Sequence, residues 1–410
     1  MLQYKKYRLD NGLTLIVAED RSTPLVSVNT LYNVGARDES PERTGFAHLF
    51  EHLMFGGTQN VPDFDKVVSE VGGDSNANTC NDFTQYYITV PAGSLETVLW
   101  LESDRMRQLD FSPRSLAVQQ SVVTEEYNYR YMNQPYGDVW LLLRPLCYKV
   151  HPYRWCTIGA DIRHVQEATL ADVENFFNRY YCPDNAIIAV VGNVKCDEVV
   201  RLVEKMYGDI PSGNVRHDSL PVEPPQTEAR ELEVKREVPA NALYMAYPMC
   251  GRLDEGFAAC DLISDMLSNG RSSRLYNSLV KSKALFSEVD AYITGDRDPG
   301  LFVVSGRLND GVGFDAASVA VSDELREIAE GRFDEMELEK VKNKYENTFV
   351  YSQYKAIDCA MSLCYYEWLG HAEWVNEEPA LYREVSKEAV RRMAERMFKP
   401  EQLSMLRIMK

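Results

Sequence analysis

The chain has 410 residues, of which 45% are hydrophobic and 26% charged, and its 62 acidic and 44 basic residues give a formal net charge of −18. This is the composition of a globular protein long enough to form two domains. The acidic balance argues against a nucleic-acid partner, because phosphate binding requires a basic face, and no segment approaches the roughly 18 to 20 apolar residues that span a bilayer.

The first segment, MLQYKKYRLDNGLTLIVAED, predicts a strand pair that turns at Asn11-Gly12 rather than a secretory signal. The 9 cysteines are scattered along the chain without a CxxC pair, which indicates reduced thiols rather than a disulfide framework. We therefore expect a cytoplasmic protein without a membrane segment.

The next informative element is a predicted helix that carries the run His48-Leu49-Phe50-Glu51-His52. Thr44 can cap its start, and Gly56-Gly57 ends it. Apolar residues at i, i+3, i+4 and i+7 from Phe46 form a stripe that we expect to be buried.

The two histidines of this run are four residues apart, so their rings lie on one face at a spacing that suits two ligands of one metal ion. Neutral imidazoles suit Zn²⁺, and the adjacent Glu51 could take a proton from a zinc-activated water. The alternative is that His48 and His52 are ordinary structural histidines. Because the chain has only 6 His, a chance match to this pattern is rare. The run therefore predicts a zinc site with Glu51 as general base.

Strand signals follow in GGDSNANTCNDFTQYYITVP, where Gly72-Gly73 is a turn and Thr84 to Val90 alternates as a strand does. An exposed strand edge can accept an extended peptide as one more strand. From the residues alone, a hairpin of purely structural use is an equal alternative.

A catalytic zinc with two histidine ligands requires a third protein ligand and an open position for water. The helix predicted between Ser112-Pro113 and Asn133-Gln134-Pro135 offers Glu125 and Glu126. They point about 100° apart, so one of them at most faces the metal. Spacing alone leaves the choice open and also allows both to be solvated.

From about Pro211 to Pro239, prolines and charges replace the apolar pattern. We therefore predict an N-terminal domain over 1–210, a linker over 211–239 and a C-terminal domain over 240–410. A weak echo between YYCPDNAIIAVVGNV and MFKPEQLSMLRIM suggests that the domains are duplicates. The predicted fold class is α+β, with two similar domains that are each a largely antiparallel sheet flanked by helices.

Taken together, these residues resemble the pitrilysin/insulinase family of zinc peptidases, whose HxxEH motif inverts the common zinc-protease motif. HPYRWCTIG and LSNGRSSRLYNSLVKSKALF extend the likeness to nearly the whole chain, and the short two-domain members, such as the subunits of mitochondrial processing peptidase, match it in length. The resemblance implies a pitrilysin-like fold whose second domain lacks the zinc motif. It also implies that Glu126 is the third zinc ligand, that Asn76 and Ala77 lie beside the substrate backbone, and that the substrates are short or unstructured peptides.

Two departures from the family pattern matter. Gln119 stands where the family often has a glutamate that supports the zinc ligand seven residues later, so that support should be weaker. Val280 and Ser287 stand where many self-sufficient members carry an arginine and a tyrosine that bind substrate and stabilise the oxyanion. We therefore expect a dimer, either a heterodimer with a paralogous subunit that supplies Arg and Tyr or a homodimer. The alternative function is a non-catalytic structural or peptide-binding subunit of a larger complex.

Overall fold

Two mixed sheets with flanking helices make up the protein. The structure is a computed structural model and describes residues 1–410. The strands are β1 (Lys5–Arg8), β2 (Thr14–Glu19), β3 (Leu25–Tyr32), β4 (Asp74–Thr79), β5 (Thr84–Pro91), β6 (Ala186–Gly192), β7 (Arg230–Lys235), β8 (Ala242–Pro248), β9 (Phe286–Ile293), β10 (Leu301–Leu308) and β11 (Ser404–Met409). The helices are α1 (Phe46–Leu53), α2 (Phe64–Glu70), α3 (Leu95–Arg107), α4 (Pro113–Tyr127), α5 (Val139–Cys147), α6 (Arg163–Gln166), α7 (Leu170–Tyr180), α8 (Cys196–Tyr207), α9 (Phe257–Ser268), α10 (Phe314–Ala329), α11 (Glu335–Ser352), α12 (Ala356–Leu369), α13 (Trp374–Arg383) and α14 (Lys387–Met397). Two π-helical turns, Asn128–Met132 and Tyr276–Ser282, complete the regular structure beside short 3₁₀ turns.

The first sheet has the strand order β1-β2-β6-β3-β5-β4. Its pairs are antiparallel except β2 with β6, which run parallel. The central strand β3 is buried from Val26 to Tyr32, which requires cover on both faces, and helices α3 and α12 both pack against it. Strand β4 pairs with β5 alone, so its other side is an open edge of the sheet.

The second sheet has the order β7-β11-β8-β10-β9 and is likewise antiparallel except for one parallel pair, β7 with β11. One hydrophobic cluster joins β8, β9 and β10 to α9, α10 and α14. A second cluster joins α5 to β8, β10 and β11. The predicted α+β class, with two largely antiparallel sheets flanked by helices, is confirmed. The two parallel pairs were not expected.

Each sheet belongs to a compact unit built from three chain segments. The first unit comprises Met1–Tyr129, Trp155–Leu220 and Val350–Glu377, and the second comprises Arg130–Arg154, Pro221–Phe349 and Glu378–Lys410. The contiguous domain boundaries expected from the sequence stay a prediction. Residues 211–229 hold no helix or strand, whereas β7 lies within the predicted linker range. None of the helices combines the length and the apolar character that crossing a membrane requires.

Candidate metal centre

Helix α1 carries the HxxEH run, and its apolar stripe holds it against the first unit. Phe46, Leu49, Phe50 and Leu53 are all buried, as the spacing predicts. The helix begins after Gly45, whose φ of 86° lies in the left-handed region that favours glycine. His48 and His52 remain on the other side of the helix, with ring centroids 4.8 Å apart. The buried stripe therefore sets the direction in which both imidazoles point.

The start of α1 is bound by a residue that the sequence did not reveal. The two carboxyl oxygens of Glu39 accept hydrogen bonds of 2.9 Å from the backbone N–H groups of Gly45 and Ala47. Thr44, the expected cap, instead lies against His164, with its hydroxyl 2.9 Å from the His164 Nδ1. The expected cap is therefore wrong, and Glu39 satisfies the N-terminal N–H groups that would otherwise lack partners.

Glu39 should make the stability of the protein depend on pH. Its burial raises its pKa from the ordinary 4.5 to about 8, although the hydrogen bonds from Ala47 and Gly45 act in the opposite direction. Between these two values the folded chain keeps a proton that the unfolded chain releases. The free energy of unfolding should therefore fall as pH rises through this window, by on the order of 3 to 5 kcal/mol. Urea unfolding measured from pH 4.5 to pH 8.5 would show this slope.

Glu39→Gln removes the titrating group, so it should flatten that slope. Glu42→Gln is the matched control, because Glu42 is an exposed carboxylate three residues away and should leave the slope unchanged. Equal slopes in all three proteins would show that Glu39 is not protonated in the folded state at neutral pH.

Helix α4 brings one of the two candidate carboxylates to the histidines. Ser112 caps its start by accepting a hydrogen bond from the backbone N–H of Ser115, and Pro113 occupies the first turn, as the sequence predicts. The Gln120 amide donates to three carbonyls at the end of α6 and the residues after it, with distances of 2.9 to 3.1 Å. This anchor helps set the rotation of α4. Glu126 is half-buried facing α1, whereas Glu125 is exposed.

Glu126, His48 and His52 form a compact group of three donors. The Glu126 Oε2 lies 3.6 Å from the His48 Nε2 and 3.2 Å from the His52 Nε2, and all three donor atoms lie within 4.8 Å of one another. The side chains of His48, His52 and Glu126 are 12%, 23% and 17% exposed, so the group is sheltered but reachable from solvent. The structure therefore brings together the three residues of α1 and α4 that were predicted as metal ligands.

The donor set and its spacing suit a zinc ion. In a tetrahedral zinc site with ligand bonds of about 2.0 to 2.2 Å, neighbouring donor atoms lie about 3.3 to 3.6 Å apart. The two separations from the Glu126 Oε2, 3.6 and 3.2 Å, match that value within the adjustment of a side chain, and the third separation, between the two histidines, is at most 4.8 Å. Two imidazoles and one carboxylate are also a common set of three protein ligands for a zinc that keeps its fourth position open.

Glu51 lies beside this group without being part of it. Burial raises its pKa above the ordinary value, and the negative charge of Glu126 adds to that effect. Hydrogen bonds from the hydroxyl and the backbone N–H of Thr79, together with the nearby His52, act to lower the same pKa. Glu51 is therefore a partly buried carboxylate held by the last residue of β4 and positioned next to the metal donors.

The open edge of β4 faces the same region. Cys80 donates its N–H to the carbonyl of Phe83 at 2.9 Å, and Thr79 pairs with Thr84 in register. Because backbone groups alternate in direction along a strand, residues 75, 77 and 79 direct theirs away from β5. The N–H of Ala77 accordingly binds the Asn76 Oδ1 at 2.8 Å, and that of Thr79 binds Glu51. Asn76 is exposed and Ala77 is buried.

Comparison of the sequence with known proteins shows the family of this chain. Residues 15–137 match the family model described as Insulinase (Peptidase family M16), and residues 167–345 match the one described as Peptidase M16 inactive domain. The zinc protease PqqE of Helicobacter pylori is 30% identical over 366 residues, which cover 87% of this chain and 82% of that protein. The chain belongs to the insulinase family, M16, of peptidases. The resemblance stated from the sequence is therefore confirmed.

Other members of the insulinase family match at lower identity. A probable mitochondrial-processing peptidase subunit beta of Arabidopsis thaliana is 24% identical over 308 residues, or 72% of this chain and 58% of that protein. The crystal structure of a protease from Helicobacter pylori superimposes with a TM-score of 0.93 at 27% identity and covers 100% of both chains. Pitrilysin superimposes with a TM-score of 0.81 at 16% identity over 100% of this chain and 45% of that one, which shows the shared fold.

In the second unit, the positions that depart from the insulinase family pattern have ordinary surroundings. Val280 packs against the hydrophobic cluster of that unit, and Ser287 is exposed and donates to the carbonyl of Arg307 at 3.3 Å. The nearby Arg274 makes a bidentate ion pair with Glu337 at 2.7 and 2.8 Å. Neither Val280 nor Ser287 offers a cation or a phenol.

Sequence reasoning missed Glu39 and Thr79, both of which touch the helix that carries the HxxEH run. Glu39 precedes that helix by seven residues, outside the usual capping positions, so no local rule points to it. The sequence did contain a signal for Thr79. It lies two residues after Ala77 on the same strand, so its backbone groups point to the same side of β4 as those of Ala77.

Proposed function

We propose that this protein is a zinc-dependent endopeptidase that hydrolyses peptide bonds in short or unstructured peptides. The observation that carries the proposal is the group of His48, His52 and Glu126, whose donor atoms lie within 4.8 Å of one another, with Glu51 beside it. Two relatives of the chain are named as zinc proteases, which supports this proposal.

In this proposal the three donors hold Zn²⁺, which when bound supplies a Lewis acid that polarises the scissile carbonyl and acidifies the attacking water. Glu51 takes the proton from that water and delivers it to the leaving amine. Thr79 positions the Glu51 carboxylate through its hydroxyl and its backbone N–H. Because neither hydrogen bond involves a metal donor, Thr79 can orient the base without competing for the ion.

The open edge of β4 would bind the substrate backbone. An extended peptide can pair with the outward backbone groups of Ala77, while the Asn76 amide lies next to the same position. Main-chain pairing demands a peptide segment that is free of its own secondary structure. This requirement favours short or unstructured substrates over folded proteins.

The function is tested by incubating the zinc-loaded chain with a mixed pool of unstructured peptides, with and without a chelator. We expect internal cleavage that the chelator stops and added zinc restores. If the zinc-loaded chain stays silent, and also stays silent after its binding partners are added, the non-catalytic structural or peptide-binding role becomes the better account.

Asn76 offers a test of the substrate edge. In this proposal the Asn76 amide, once displaced from the Ala77 N–H, binds the substrate backbone instead. Asn76→Ala removes that contact and should raise KM for peptides about two- to tenfold with little change in kcat, since one hydrogen bond contributes about 0.5 to 1.5 kcal/mol. Steady-state kinetics on one fluorogenic peptide would measure this. Asp74→Ala is the matched control, because Asp74 is exposed on the same strand two residues earlier. Equal KM values for the two variants would remove Asn76 from the binding site.

We also propose that the protein works as the zinc-bearing subunit of a dimer. Val280 and Ser287 leave the second unit without the arginine and tyrosine that many self-sufficient family members carry, and a relative is named as a peptidase subunit. A paralogous partner could supply both groups. Native mass measurement of the purified chain, combined with its turnover number, tests whether such a partner is needed. A homodimer or monomer with high turnover would show that it is not.

A further inference from the structure

Two cysteines of the second unit lie close together, far along the chain from the proposed metal ligands. Cys250 follows strand β8, and Cys260 lies in the second turn of α9. Their sulfur atoms are 3.9 Å apart. A disulfide bond has an S–S distance of about 2.05 Å, so the two sulfurs need to approach by about 2 Å to form one.

The turn between β8 and α9 keeps Cys250 in this position. The Gly251 N–H donates to the Asp254 carboxylate at 2.7 Å, and the Asp254 N–H donates back to the Gly251 carbonyl at 3.1 Å. The Arg252 N–H binds the carbonyl of Asp296 at 2.9 Å. These bonds fix the backbone on the C-terminal side of Cys250, so the short distance between the sulfurs is built into the turn.

The two thiols differ in their exposure to solvent. Cys250 is half-buried and Cys260 is buried. The two thiols share one sulfur–sulfur hydrogen bond, in which either sulfur can be the donor. An oxidant from solvent therefore reaches the Cys250 sulfur first, and the buried Cys260 sulfur lies in position to react second.

We propose that Cys250 and Cys260 are an oxidation site at which a peroxide converts the dithiol into a reversible intramolecular disulfide. The Cys250 thiolate attacks one oxygen of hydrogen peroxide and breaks the O–O bond, which gives a sulfenic acid and, after protonation of the released hydroxide, one water. The Cys260 sulfur then attacks the Cys250 sulfur. The hydroxyl group leaves with the Cys260 proton as a second water, so two electrons pass from the dithiol to the peroxide.

Peptide mapping of the intact chain tests this site. Trypsin should release Cys250 in the peptide Glu237–Arg252 and Cys260 in Leu253–Arg271, each with a single cysteine. After treatment with hydrogen peroxide and blocking of free thiols, we expect these two peptides to appear joined and to separate on reduction. The count of free thiols should fall by two from the nine of the untreated protein.

Two variants make the result specific. Cys250→Ser should abolish the joined peptide and leave Cys260 a free thiol, whereas Cys80→Ser, which removes the other half-buried cysteine, should leave the joined peptide unchanged. The proposal is overturned if peroxide leaves both peptides separate in the wild-type protein. It is equally overturned if Cys250 proceeds to sulfinic acid or joins a different cysteine.

Discussion

Replacing Glu51 with glutamine should lower kcat/KM for peptide cleavage by at least about 100-fold, because general acid–base catalysis contributes about 10² to 10⁴ and the amide cannot take a proton from water. Zinc binding should not change, since Glu51 lies outside the group of donors. The measurement is steady-state cleavage of one fluorogenic peptide, together with metal content by atomic absorption.

Glu42→Gln is the control for this variant, because it makes the same chemical change at an exposed position ahead of the same helix and should keep full activity. If Glu51→Gln binds zinc and cleaves peptides at the wild-type rate, Glu51 is not the base. If it loses zinc instead, then Glu51 is part of the metal site, and the ligand assignment has to be revised.

The second large effect is expected at the two adjacent glutamates of α4. Glu126→Gln should weaken zinc binding by at least about 100-fold, more than the loss of a residue that only supports a ligand, because a neutral amide replaces an anionic donor. Glu125→Gln should leave zinc affinity unchanged, since Glu125 is exposed. Competition with a chromogenic chelator would measure both affinities.

The two variants make the same chemical change at neighbouring positions of one helix, so their effects on net charge are matched. Equal loss of zinc affinity in both would mean that α4 can rotate to use either carboxylate. Retention of zinc by Glu126→Gln together with loss in Glu125→Gln would reverse the assignment and contradict the geometry in which the Glu126 Oε2 lies 3.2 Å from the His52 Nε2.

The parts of the site that local patterns encode could be predicted from the sequence. The stripe from Phe46 to Leu53 is buried as its spacing requires, and this orients His48 and His52 because a helix fixes the angle between its faces. The choice between Glu125 and Glu126 could not come from spacing. It depends on how α4 rotates, and contacts such as those of Gln120 with the segment after α6 set that rotation.

The fold could be predicted in class but not in connectivity. Proline and charge near 211–239 indicated a division of the chain, whereas the assignment of α5 and α12 to their sheets depends on packing between distant segments. Helix α12 packs against β3 and β6, more than 160 residues earlier in the chain. An amphipathic pattern shows that a helix has a face to bury and says nothing about which sheet will cover it.

The open edge of β4 has a consequence for the behaviour of the protein in concentrated solution. Unpaired strand edges recruit strands of other molecules and are a common route to aggregation. Here the outward N–H groups of Ala77 and Thr79 are already bonded, the first to the Asn76 side chain and the second to Glu51. A passing strand must displace these partners before it can pair. These bonds thus protect the edge against nonspecific self-association. A peptide that pairs at Ala77 alone needs to displace only the Asn76 side chain.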